Sequence, residues 1–202
     1  MRKEILHQKS VSHHIMDTAI PLFATRGYAG VSVRELAKAA GVNNALISYY
    51  FGGKKELYAS ILSTQFAVLG SVVNEMKQEE LPPKEKICHF AQQVMTAHKK
   101  YPYLIRLVMG EIINPTDCYD SIVKKAIEKI NYFLRACIQK GIDTGDFKAE
   151  IDPAAVAIAL MGIINFYYLT WPLSQELLLG KEVDYYIEQS LYHYLQGISS
   201  TN

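Results

Sequence analysis

Apolar residues recur at helical spacing in nearly every segment of the chain, which predicts a string of α-helices. The first stripe is Ile15, Ala19, Leu22 and Phe23, with Ser10 or Ser12 placed to cap it and Gly27 and Gly30 to stop it. Pro21 falls inside this pattern and predicts a local bend. Leu57, Ile61, Leu62, Phe66, Leu69, Val72, Val73 and Met76 mark one side of a long helix running to about Lys77. Leu81-Pro82-Pro83 breaks it, and Pro83 suits a helix start. Ile87, Phe90, Ala91, Val94, Met95 and His98 follow on one face, with Lys99-Lys100 at the negative end of the helix dipole. A short helix fits 103–113, and Thr116 or Asp117 starts the next, whose stripe runs from Tyr119 to Ile138 and ends across Gly141 and Gly145. Asp152-Pro153 is a cap and first-turn pair, and Val183, Ile187, Leu191 and Leu195 trace a final helix.

The most informative stretch is Val33 to Leu57. Leu36, Ala37 and Ala40 share a face, and Gly41 then supplies a residue able to take positive φ for a sharp turn. Val42 plugs the turn, Asn43 or Asn44 can cap the next helix, and Ile47 and Tyr50 turn inward. The small residue at Ala37 lets two helices approach closely. This spacing fits a helix-turn-helix, whose second helix enters the major groove, or an ordinary helical hairpin. With Ile47 and Tyr50 inward, the outer face is Asn44, Ala45, Ser48 and Tyr49, groups suited to base edges and phosphates.

The run from Met16 to Leu62, MDTAIPLFATRGYAGVSVRELAKAAGVNNALISYYFGGKKELYASIL, resembles the amino-terminal domain of the TetR/AcrR family of transcriptional regulators. The resemblance implies an all-α fold of about nine helices: a three-helix DNA-binding domain over 1–53, then a larger ligand-sensing and dimerisation domain over 54–202. It implies a homodimer on a palindromic operator of double-stranded DNA, acting as a repressor released by a small effector, or as an activator. Residue by residue, Ser32 would cap the second helix and touch a phosphate, and Arg34 would contact backbone or base. Asn43, Asn44, Ala45 and Ser48 would lie on the recognition helix, Tyr49 and Tyr50 would reach phosphate, and Lys54 would head the fourth helix and pair with phosphate. That fourth helix would link the two domains. Leu46 and Gly52 depart from the family's usual Thr and polar residue, so base preference does not carry over.

Charge supports a division of labour. Of 21 basic and 20 acidic residues, residues 1–55 hold eight and three, a balance of +5, which leaves thirteen and seventeen, a balance of −4. A basic head on an acidic body suits DNA. Cys88, Cys118 and Cys137 are far apart and odd in number, as expected of reduced thiols in a cytoplasmic protein. The first ten residues are too polar for a signal peptide and read as a charged leader outside the first helix. Residues 153–175 carry no charge and are long enough to span a membrane, but Asn165, Thr170, Tyr167, Tyr168 and Pro172 argue instead for a helix buried on both sides. One side would face its own domain and the other a second subunit, with Leu160, Ile164, Tyr168, Ile187, Leu191 and Tyr194 at the seam.

No nucleophile–base pair, phosphate loop, cofactor motif or metal spacing is found, so the expectation is no enzyme, no cofactor and no metal. His7 falls in the leader and His13 and His14 close behind it, away from any other ligand. Flexible and aromatic residues at interior-looking positions mark a candidate pocket for an apolar or aromatic effector: Met95, His98, Tyr103, Leu107, Met109, Phe133, Met161, Phe166, Tyr167 and Trp171.

Overall fold

A computed structural model of the chain describes the backbone of residues 2–200 and the side chains of residues 11–200. Among the described residues there are ten α-helices: α1 Arg2–Arg26, α2 Val33–Ala39, α3 Asn44–Phe51, α4 Lys54–Gln78, α5 Pro83–Lys100, α6 Leu104–Ile113, α7 Lys124–Asp143, α8 Pro153–Thr170, α9 Leu173–Leu177 and α10 Val183–Ile198. A π-helical turn over Tyr119–Val123 leads into α7, and an isolated bridge pairs Phe147 with Ser199. The all-α expectation holds, with the short α9 added after Trp171-Pro172.

The start of α1 corrects the sequence reading. The leader is helical from Arg2, so Ser12 lies inside the helix and does not begin it. Any cap by the Ser10 side chain lies outside the described residues. Residues 2–9 contain neither glycine nor proline and are rich in helix formers, so nothing local stops the helix from extending back. At the other end α1 continues through Pro21, whose carbonyl accepts the Thr25 hydroxyl at 2.7 Å.

The chain forms two compact units. The first is Met1–Phe66 with Arg106–Lys124, and the second is Ala67–Ile105 with Lys125–Asn202. Helices α4 and α6 each contribute to both. In the first unit Ile15, Ala19 and Phe23 of α1, Leu36 and Ala37 of α2, Ile47 of α3, and Leu57, Ile61 and Leu62 of α4 are buried. Phe23, Tyr28 and Tyr58 form an aromatic cluster, with Tyr58 4.9 Å from Phe23 and 5.0 Å from Tyr28 between ring centroids.

In the second unit Val73, Ile87, Phe90, Leu134, Ile138, Leu160, Ile164, Ile187, Leu191 and Leu195 make the core. Four of the six residues expected at the dimer seam lie in this core. Leu160, Ile164, Ile187 and Leu191 pack inside their own chain, and Tyr168 and Tyr194 are half-buried. Helix α8 is apolar all round, so periodicity could not say which face turns inward. The face left to solvent carries Ile158, Phe166 and Leu169, with Tyr185 and Tyr192 exposed on α10. By length and composition alone α4 and α8 could each cross a membrane, and half of α4's apolar window is buried within the chain.

Candidate nucleic-acid interface

The helix-turn-helix is built by local hydrogen bonding at each end of its turn. Ser32 caps α2 in a reciprocal arrangement: the Glu35 N–H donates to Ser32 Oγ at 3.2 Å, and the Ser32 N–H donates to Glu35 Oε2 at 2.8 Å. The Ser32 hydroxyl also points its hydrogen at Glu35 Oε2, 2.7 Å away, and Arg26 Nη2 donates to Glu35 Oε1 at 2.7 Å. These donors, the Ser32 N–H foremost, hold the Glu35 carboxyl down at about 2.

Helix α2 ends in a Schellman turn. The Val42 N–H donates to the Ala37 carbonyl at 2.9 Å and the Gly41 N–H to the Lys38 carbonyl at 3.2 Å. Gly41 adopts φ +62°, the left-handed geometry expected of it. Asn43 is the cap of α3: its Oδ1 accepts the Ala45 N–H at 2.9 Å, which resolves the choice between Asn43 and Asn44. Gly52, at φ +88°, closes α3 by donating to the Ser48 carbonyl at 2.8 Å.

Between these stops α3 turns Ile47 fully inward and leaves Asn44, Ala45, Ser48 and Tyr49 exposed, Tyr49 by 68%. Tyr50 is half-buried and meets Tyr49 edge-on, with centroids 5.0 Å apart. Asn43, Ser32 and Arg34 are exposed beside this face. Lys54 opens α4 as expected, but its ammonium lies 4.2 Å over the Tyr28 ring, and burial there lowers its pKa. The result is a short helix, capped at both ends, presenting a small and mostly polar exposed face, and an α-helix of this kind fits the major groove.

Three supports of this head escaped sequence reasoning. His14 Nε2 lies 3.2 Å from the Ala40 carbonyl and joins α1 to the turn. Lys55 Nζ donates to Asp117 Oδ2 at 2.6 Å. The buried Glu111 carboxylate of α6 accepts the Tyr58 hydroxyl at 2.9 Å and both the N–H and the hydroxyl of Thr116, at 3.2 and 3.0 Å. The last two join residues 53 and 62 positions apart, beyond any local pattern. They line a cavity of about 970 Å³ with Phe23, Tyr28 and Leu107.

The candidate effector residues do not gather in one place. Met95, His98, Phe133 and Tyr167 are buried in the second unit, where Tyr103 and Met161 are half-buried. Leu107 and Met109 belong to the first unit, because α6 contributes to both. Phe166 and Trp171 are more than half exposed, because the solvent-facing side of α8 and the chain just beyond it carry them. His98 Nε2 lies 3.0 Å from Asn165 Oδ1, and its ring stacks on Tyr168 at 4.1 Å between centroids. Phe133 packs instead on Phe90 and lines a cleft of about 280 Å³ with Lys77, Lys86, Lys140 and Cys137. No group of three or more metal-binding side chains occurs among the described residues. Cys118 and Cys137 are buried and free, Cys88 is free and half-buried, and burial pushes the Cys137 thiol up to about 11.

An all-α chain that presents a capped recognition helix on a Schellman turn belongs to the class of helix-turn-helix DNA-binding proteins. Residues 15–61 match the family model described as "Bacterial regulatory proteins, tetR family", and residues 80–171 match "Tetracyclin repressor-like, C-terminal domain". The chain belongs to the TetR/AcrR family and is a DNA-binding transcriptional regulator. It is 24% identical to the HTH-type transcriptional regulator AcrR of Shigella flexneri over 96% of this chain and 94% of that one. It is 28% identical to the probable HTH-type transcriptional regulator YttP of Bacillus subtilis, over 65% of each chain. Its fold is that of the ketosteroid transcriptional regulator KstR2 of Mycobacterium tuberculosis, with a TM-score of 0.80 at 16% identity over 94% of this chain and 95% of that one.

Proposed function

We propose that the protein is a cytoplasmic, homodimeric repressor that leaves a palindromic operator when a small apolar or aromatic molecule binds within residues 54–202. The observation that carries this reading is the exposed face of Asn44, Ala45, Ser48 and Tyr49 on a helix fixed at both ends. A single short helix reads too few base pairs for a unique site, so two heads related by a two-fold axis would read half-sites about one helical turn, or a small multiple, apart. The apolar strip of Ile158, Phe166 and Leu169 on α8 supplies a surface for the second subunit. Gly162, one turn from both Ile158 and Phe166, has nothing within 4 Å of where a side chain would begin, which leaves room for a helix to approach. An effector that binds the state with misplaced heads shifts the population off DNA by its differential affinity, and by no more than that.

The test begins with selection of duplexes from a random pool and a binding series in salt. Lys54→Ala should weaken binding to all sequences alike and flatten the logarithmic salt slope by about 1, the loss of one phosphate neutralised. Tyr49→Ala should also weaken binding without changing the selected sequence. Asn44→Ala or Ser48→Ala should change that sequence. An unaltered slope for Lys54→Ala, together with unaltered selection for Asn44→Ala and Ser48→Ala, would overturn the assignment of this face.

A further inference from the structure

Among the described residues of the second unit, two side-chain polar atoms are buried without a partner. Both belong to one stacked pair: Nδ1 of His98 on α5 and the hydroxyl of Tyr168 on α8. The tautomer of His98 follows from its neighbour. Asn165 uses its Nδ2 to donate to the Met161 carbonyl at 2.8 Å, so its Oδ1 must accept at His98 Nε2. His98 Nε2 therefore carries the hydrogen and Nδ1 is a bare acceptor. Burial keeps the ring neutral by lowering its pKa. The Tyr168 hydroxyl, held protonated by burial, has a hydrogen with nowhere to go.

Leaving two such groups unmet in a protein interior is costly, and native interiors satisfy nearly all of them. We infer that His98 Nδ1 and the Tyr168 hydroxyl form the polar end of an effector site that takes a hydroxyl group on an aromatic body. A ligand hydroxyl has the chemistry both groups lack, since it can donate to Nδ1 and accept from Tyr168. A ketone or ether can only accept and leaves Nδ1 bare. A carboxylate would need a protonated imidazole. The surroundings suit an aromatic body, since Tyr167 contacts the rings of both Tyr168 and Tyr186 at 5.8 Å. Met95 and Met161 lie one turn from His98 and Asn165 on the same helices, and their unbranched side chains can shift to admit a ring. The inference rests on the reading that residues 54–202 sense a small molecule.

The experiment uses the full chain without DNA and follows its thermal unfolding with matched probes: 4-ethylphenol, 4-ethylanisole and 4-ethylbenzoate. The phenol should raise the midpoint in a dose-dependent way, and the other two should not. Tyr168→Phe removes only a hydroxyl that has no partner, so the unliganded variant should remain folded and bind the phenol about tenfold more weakly, as expected for one buried hydrogen bond. No shift with any probe would mean that the two atoms hold a trapped water alone, and would overturn the inference. Equal shifts with phenol and anisole, or a shift with benzoate only, would overturn it too. Operator binding is measured separately. A protein that binds the phenol and stays on DNA refutes the effector-release reading alone, whereas one that leaves DNA with another compound but ignores the phenol refutes only the hydroxyl site.

Discussion

Replacing Tyr58 with Phe deletes one atom from the first unit and leaves its packing intact. The Tyr58 ring is 3% exposed and would keep its contacts with Phe23 and Tyr28. What is lost is the hydrogen bond to Glu111 Oε1, 2.9 Å long, to a residue that is 1% exposed. Burial, and then the neighbouring carboxylate, raise the Tyr58 pKa and keep its hydroxyl a donor. Thr116 still provides two donors, so the carboxylate is left under-satisfied but not bare. A buried hydrogen bond to a charged group contributes about 1.5–3 kcal/mol. For a chain of 202 residues a loss of ~2 kcal/mol should lower the midpoint of thermal unfolding by about 4–8 °C. Urea unfolding should show a lower midpoint at unchanged m-value. Tyr192→Phe, at an exposed position, is the control and should change neither. A double-mutant cycle with Thr116→Val should show coupling, because both side chains serve one carboxylate. A midpoint shift below about 1 °C for Tyr58→Phe would refute the claim that this bond holds α4 to α6 within the unit.

Other expectations follow from single features. Gly41→Ala meets no steric obstacle, since nothing lies within 4 Å of the new Cβ, so its cost should be the conformational ~1–2 kcal/mol of φ +62°, read from urea midpoints. Glu35 has a folded-state pKa of about 2 against its ordinary 4.5, so its contribution to stability is complete above 4.5 and is lost as the pH falls through 2. Glu35→Gln should flatten the dependence of the urea midpoint on pH in that window, and parallel curves for the two proteins would count against the capping carboxylate. Phe166→Glu places a charge on the exposed strip of α8 and should give monomers by sedimentation; a retained dimer would move the seam elsewhere.

Much of the DNA-binding head was legible because its determinants are local. Gly41, Asn43 and Gly52 each act on the backbone within a few residues, and the inward turn of Ile47 follows from its spacing from Leu36 and Ala37. The proposed effector end was far less legible. His98 stood out as a polar residue on an apolar stripe, but Asn165 and Tyr168 gain their meaning only from being brought to it across 67 and 70 positions. The same limit hid Glu111, whose partners Tyr58 and Thr116 lie on either side of it in sequence.

The sequence by itself determined most of the helices, the capped turn that orients α3, the split of charge between head and body, and the family. All of these depend on spacing along one segment or on composition. Tertiary structure alone decided which side of α8 is core and which is left bare, which helix residues form each compact unit, and which buried polar atoms find partners. An apolar helix has no periodicity that marks its inner face, and a carboxylate or imidazole has no local signal for a partner more than fifty residues away. Those choices are made only when the chain packs and every buried group must be matched or left unmatched.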